Sequence, residues 1–281
     1  MTSYSVTVKP GVTAPVGAVD VPLTNLRPSM QPVGPIKAIM DQLTGTYTAL
    51  ERARIAQTWF DLYDAGLFNK LDQLNLFGRT LNDCLIPWVP TAPTIITGGT
   101  GGLGGAGQGL QFVSGEGDFL ETGYNPSTFV GAKHTLNSAS FAILLTEGMA
   151  NNQYAFGSNA AGGGVTSLQR TGGSAQNLTV RINTTDITTW SGYAGQGGMV
   201  IGNRPSGTVQ RLLFDGVVVA EETNNLPTAL NNGVFSLGRQ GSVTPVFADM
   251  KAAGFAIGAG LTQQEESDLT AIMKRIWNAL K

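Results

Sequence analysis

The chain predicts a mainly β fold: a jelly-roll β-sandwich preceded by a Pro-rich extended arm and a helical hairpin, and followed by a C-terminal capping helix. Three observations carry this expectation. Charged residues are only 13% of 281 residues, while 38 glycines and abundant Thr, Asn and Ser supply strand and turn chemistry in their place. From residue 110 onward, short β-branched or bulky runs recur between Gly, Asn and Pro, as in all-β domains. The last segment instead repeats its apolar residues at helical spacing.

Residues 1–35 hold six prolines, Pro10, Pro15, Pro22, Pro28, Pro32 and Pro35, so no helix can propagate there. Val and Leu, with β-like pieces such as Tyr4 to Val8, suit an arm laid on a partner better than a solvated linker. Residues 36–90 change pattern. Ala49, Ile55, Phe60 and Leu62 stand among Glu51, Arg52, Arg54 and Asp61, and after Ala65-Gly66 come Leu67, Leu71 and Leu74 at i, i+4 and i+7. This predicts a helical hairpin, with Trp59, Phe60, Tyr63 and Phe68 packed between its helices and a neighbouring sheet.

The sandwich is expected over 91–281. Thr94-Ile-Ile96 reads as a short strand of its own, and further strands fall at 110–113, 118–122, 140–146, 152–156, 165–169, 177–183, 199–202, 208–214, 217–221, 234–237 and 252–257. Asp215-Gly216, between RLLF and VVVA, predicts a tight two-residue hairpin turn. The closing helix, 262–280, starts at a Thr262/Glu265 capping box. It carries Leu269, Ile272, Met273, Ile276 and Leu280 on one stripe, to cover the sandwich or a sheet edge.

Few residues invite chemistry. Gly99 to Gly104 is a literal GxGxxG, but glycines run on through Gly105, Gly107 and Gly109, where a dinucleotide fold needs a helix. No tyrosine has Lys four residues later, as short-chain reductases require, so no cofactor is expected and the string reads as a connection into the sandwich. Glu116-Gly-Asp118-Phe-Leu-Glu121 is an ExDxxE that resembles the catalytic strand of laminarinase-type glucanases. Regular strand geometry puts Glu116 and Asp118 on one face and Glu121 on the other. The single Cys84 excludes an internal disulfide and reads as a small buried hydrophobe; the single His134, in GAKHTLNSAS, reads as a surface loop. Asn224-Asn225, Asn231-Asn232 and Asp215 offer oxygens but no EF-hand spacing, and no metal site is assigned. Trp190 and Tyr193, in the Gly-rich polar stretch TTDITTWSGYAGQGG, are the candidate ligand-binding residues, as rings on which a glycan stacks.

A formal net charge of −2 without a Lys/Arg block argues against nucleic acid as a partner. No apolar run suits a membrane span and no secretory signal is visible, which predicts synthesis in the cytoplasm, with a particle as the route by which the protein could leave the cell.

Phe112 to Pro126, followed by FAILLT, RLLFDGVVV, FSLGRQG and FAIGAGLTQQEESDLTAIMKRIW, resembles concanavalin A-like, laminin G-like jelly rolls, over about residues 92 to 281. The preceding ARIAQTWFDLYDAGLFNKLDQLNLFG is similar to proteins of tailed bacteriophages and prophages, keeping Asp64-Ala-Gly66, Lys70 and Leu71-Asp72. What this resemblance implies is a non-enzymatic virion structural protein made in the host cytoplasm, a capsid decoration or a head or tail fibre component. Its arm would bind other capsid or tail subunits, and it would be a homo-oligomer, a trimer in a fibre or three-fold decoration. The alternative is an adhesin whose Trp190 and Tyr193 hold host surface glycan. A third reading is a polysaccharide-degrading hydrolase using Glu116 and Glu121.

Overall fold

The computed structural model of the chain describes residues 34–98, 109–158, 164–172, 176–240 and 246–280. The arm up to residue 33 and the glycine string 99–108 lie outside the described residues.

The chain runs through α1 (Pro35–Gln42), α2 (Ala49–Asp64), β1 (Leu71–Leu76), the short α3 (Leu81–Cys84), β2 (Ile96–Gly98), β3 (Leu110–Phe112) and β4 (Phe119–Glu121). It continues with β5 (Ala139–Glu147), β6 (Gln153–Ser158), β7 (Thr166–Thr171), β8 (Asn177–Arg181), β9 (Thr188–Trp190) and β10 (Gly198–Ser206). There follow β11 (Val209–Phe214), β12 (Val217–Glu222), β13 (Ser236–Leu237), β14 (Arg239–Gln240), β15 (Val246–Phe247), β16 (Met250–Gly258) and α4 (Gln263–Leu280). The first sheet has the order β1-β16-β5-β10-β11-β12, with β3 also on β16; the second has the order β2-β4-β13-β6-β7-β8-β9. Every strand pair in both is antiparallel. The mainly β sandwich with its C-terminal helix is therefore the fold of the described chain.

Alternation along the first sheet's strands builds three layers. Phe141, Ile143 and Leu145 of β5, with Val200 of β10 and Phe255 of β16, join the core between the sheets. Ala142, Leu144, Met199 and Ile201 point the other way and meet Ile55 and Leu62 of α2 and Leu269, Ile272, Met273 and Ile276 of α4. The helices thus cover a face of the first sheet, making it buried on both sides. The capping box of α4 forms, with Thr262 N donating to Glu265 Oε2 at 2.8 Å and Glu265 N donating to Thr262 Oγ1 at 3.3 Å. The hairpin turn also forms, Asp215 at φ 51° and Gly216 at φ 83°.

The second arm of the expected helical hairpin is not a helix. Gly66, left-handed at φ 70°, stops α2; Leu67–Asn69 makes one 3₁₀ turn and Leu71–Leu76 is β1, paired with β16. All six residues of β1 are buried, so the period-2 signal of a half-exposed strand is missing and the leucines happen to fall at helical spacing.

His134 is likewise not on the surface. Buried Asp72 of β1 accepts from Tyr124 Oη at 2.7 Å, from Lys133 N at 2.8 Å and from His134 N at 2.8 Å, which draws this segment inward. The ring packs against Phe235 at 5.4 Å, and its Nε2 lies 3.5 Å from Asn183 Oδ1. Nearby, on the far end of β10, fully buried Arg204 donates from Nε to Ile182 O at 2.9 Å and from Nη1 to Asn225 O at 2.6 Å. It also donates to Gly207 O at 3.5 Å, to Gln210 Oε1 at 3.3 Å and to Asn225 Oδ1. Burial pulls its pKa down to about 10, against a raising influence of Asp186.

Burial also depresses the His134 imidazole from 6.5 to about 4, with hydrogen bonds involving Asn183 and Ser140 opposing it. Because the unfolded chain takes up this proton first, the native state loses stability as pH falls from about 6.5 to about 4, by roughly 3 kcal/mol in all. Thermal melts at about pH 7.5 and about pH 5 should show a loss of about 2 kcal/mol in the wild type that His134→Gln lacks. Equal pH sensitivity in the two proteins would show that the imidazole is hydrated.

Candidate functional site

The structure places the two candidate stacking rings in packing positions. Tyr193 is fully buried and its hydroxyl donates to Gln196 O at 2.9 Å; burial pushes its pKa above the ordinary tyrosine range. Trp190, half-buried on edge strand β9, lies 5.8 Å from Tyr193 and 5.3 Å from Phe214 of the first sheet, centroid to centroid. The pair closes one side of the sandwich. Sequence reasoning took a Gly-rich polar stretch as exposed, but its glycines let the chain fold tightly over these rings: a Cβ on Gly192 would lie 2.5 Å from Trp190 Nε1.

The carboxylates of the ExDxxE string are dispersed. Glu116 is exposed on a 3₁₀ turn rather than on β4. Asp118 is fully buried and accepts from Val113 N at 3.2 Å, while Glu121 on β4 pairs with Arg239 at 2.5 Å. The regular strand that would have lined them up begins only at Phe119. Of the loop residues that could serve a cation, Asn225, Asn231 and Asp215 already have hydrogen-bond partners. Asn225 accepts from Arg204, Asn231 accepts from Gly233 N at 2.8 Å and donates to Ser158 O at 2.9 Å, and Asp215 accepts from Met199 N at 2.8 Å. Among the described residues no group of three or more His, Cys, Asp or Glu side chains could hold a metal ion. No described helix is long and apolar enough to cross a membrane.

A cleft of about 460 Å³ opens at the end of the sandwich opposite Arg204, where β3, β5 and β7 end and β16 begins. Its walls come from Gln111 to Val113, Glu147 to Ala150, Arg170, Gly195 and Asp249 to Lys251. Tertiary packing alone brings these segments together. Two glycines make the approach feasible: a Cβ on Gly148 would lie 1.5 Å from Gly195 O, and one on Gly195, at φ 84°, would lie 2.5 Å from Arg170 Nη1. Arg170 is 8% exposed, donates to Met149 O and stacks its guanidinium 5.6 Å from the Tyr193 ring centroid. Tyr193 therefore supports the cleft from beneath rather than offering its own face.

The other charges of the cleft are paired or hydrogen-bonded. Lys251 pairs with Glu147 at 2.5 Å. Asp249 accepts from Ser114 N, Ser114 Oγ and Gln153 Nε2, each at 2.8 Å. Burial works to raise its pKa, and these hydrogen bonds outweigh it and hold the carboxyl below the usual range. The arrangement sets a buried cation beside two carboxylates able to accept hydrogen bonds from a ligand's hydroxyls.

No protein-family model and no curated protein matches the chain. Similar solved structures include botulinum neurotoxin type C, which depends on interaction with two ganglioside molecules to get into cells, 12% identical over 77% of this chain and 53% of that one with a TM-score of 0.55. The binding domain of botulinum neurotoxin DC, in complex with rat synaptotagmin II, is 11% identical over 75% and 52%, at 0.53. A Trypanosoma rangeli sialidase mutant with trans-sialidase activity is 10% identical over 79% and 39%, at 0.52. The chain thus spans about half the length of the toxin structures it matches. At these identities the likeness is one of fold, a β-sandwich found in binding domains and in a sialidase.

Tyr193→Ala empties a fully buried site beneath Arg170 and should cost about 3–5 kcal/mol. Trp190→Ala, at a half-buried position, should cost about 1–3 kcal/mol. Denaturant titration of both variants checks the order; wild-type stability in Tyr193→Ala would return that ring to the surface.

Proposed function

We propose that the chain is a non-enzymatic recognition component of a tailed-phage particle, whose sandwich binds host surface glycan and whose N-terminal arm joins it to capsid or tail subunits. The observation that carries the binding half is the cleft at the open end, a concave site of about 460 Å³ with a cation seated on its floor. The ganglioside dependence of botulinum neurotoxin type C, on a similar fold, supports a glycan as the ligand class. The binding site moves in this reading from the Trp190 and Tyr193 ring faces to the cleft that Tyr193 underlies.

The particle half draws on the resemblance of ARIAQTWFDLYDAGLFNKLDQLNLFG to phage proteins. The residues kept there have definite tasks: Gly66 ends α2, Lys70 faces Glu265 at 3.5 Å, and Asp72 anchors the 133–134 backbone. A homo-oligomer, a trimer in a fibre or three-fold decoration, would present several clefts at once and raise avidity.

Two measurements test the halves separately. On an array of bacterial surface glycans the purified protein should be retained without releasing reducing ends; release of reducing sugar would make it a hydrolase. Removing residues 1–33 should leave the melting transition within a few degrees of wild type and abolish incorporation into particles. Incorporation of the truncated protein would overturn the anchoring role of the arm.

A further inference from the structure

The chain buries two arginines at opposite ends of the sandwich, and their surroundings differ in kind. Arg204 has an acceptor for every nitrogen: Ile182 O for Nε, Gly207 O and Asn225 O for Nη1, and Gln210 Oε1 and Asn225 Oδ1 for Nη2. Arg170, also more than nine-tenths buried, has one acceptor, Met149 O, and its Nε has no partner among the described residues. A buried guanidinium with unmet donors is costly unless something else meets them. No carboxylate among the described residues pairs with Arg170: Glu147 is held by Lys251, and Asp249 by Ser114 and Gln153. Unlike Arg204, Arg170 lines a cleft.

We infer that this cleft recognises the carboxylate of an acidic sugar, such as a sialic or uronic acid, with Arg170 supplying the charge-assisted anchor. The inference rests on the glycan-binding reading above and names its ligand class. A guanidinium presents a planar fork of donors that matches a carboxylate. The Tyr193 ring and the Gly195 backbone hold that fork in place before a ligand arrives. Arg170 is the cation of the cleft with no carboxylate in contact, and Asp249, bonded only to neutral donors, leaves the lining neutral overall. A phosphate dianion would need a second such cation, and it would meet Glu147 and Asp249 on the cleft wall. The same two carboxylates accept hydrogen bonds from sugar hydroxyls.

The test is calorimetric titration of the full chain with sialyllactose, glucuronic acid, lactose and inorganic phosphate. At least one of the two acidic sugars should bind, with lactose and phosphate at least about tenfold weaker. Arg170→Lys, which keeps the charge and loses the fork, should weaken the acidic sugar by about 10- to 100-fold. In the unaltered protein, the NMR signal of the Arg170 Nε–H should shift with the acidic sugar and stay in place with lactose, which tests the inference even if Arg170→Lys fails to fold. Lactose or another neutral glycan binding as tightly as the acidic sugars, with Arg170 silent, would overturn the acidic-sugar inference and leave glycan binding standing. Phosphate binding as well as the sugars would overturn it too. Binding of no glycan on titration or array would overturn both readings.

Discussion

A guanidinium with no accessible surface must find all its hydrogen-bond partners within the protein, and Arg204 finds them across the sandwich. It stands on β10 of the first sheet and reaches Ile182 O at the end of β8 in the second. Gln210 of β11 repeats the crossing, donating to Val180 O at 3.2 Å and to Thr188 Oγ1 at 2.8 Å while accepting from Ile182 N at 2.8 Å. Desolvating such a charge costs several kcal/mol unless every donor is met, so the spacing and register of the sheets at this end have little latitude. Asp72, Tyr124, Lys133 and His134 extend the same constraint to β1, which is why a segment that might have remained with the helices is locked into the sheet.

The opposite end shows what that fixed end permits. With the sheets held apart by the Arg204 cluster and by the aromatic core of Phe141, Phe156 and Phe235, the connections beyond β3, β5 and β7 need not close on each other. Trp190 and Tyr193 seal the flank against Phe214, and the Gly148 and Gly195 backbones make a close approach between loops. What is left is a cleft over a preformed arginine. Rigid strands aim its walls, which is the usual condition for a site that binds without rearranging.

The helices complete the design from outside. By covering the outer face of the first sheet, α2 and α4 let its strands carry apolar residues on both faces, which explains the near-continuous burial along β5 and β16. Among the described residues no helix covers the second sheet, and its strands β7 and β8 mix buried with half-buried residues. One chain therefore contains two kinds of antiparallel strand, and the difference is set by what packs against each.

Local chemistry was legible in the sequence. Strands bounded by Gly, Asn and Pro, the Asp215-Gly216 turn and the Thr262/Glu265 cap each depend on a few neighbouring residues whose conformational preferences act before any tertiary contact. So did the expectation of a mainly β sandwich ending in a helix. The strand at Leu71–Leu76, the burial of His134 and Tyr193, and the scattering of Glu116, Asp118 and Glu121 were not legible, because each depends on what lies across the fold rather than along the chain. The cleft is the extreme case: Arg170 stands in an unremarkable run, TSLQRT, and only the meeting of loops far apart in sequence surrounds it with Met149, Gly195 and Asp249. Sequence alone determined the fold class and most of its elements; tertiary structure decided that Leu71–Leu76 is a strand, which arginine is satisfied and which is left facing a cleft, since hydrogen-bond partners are counted in space.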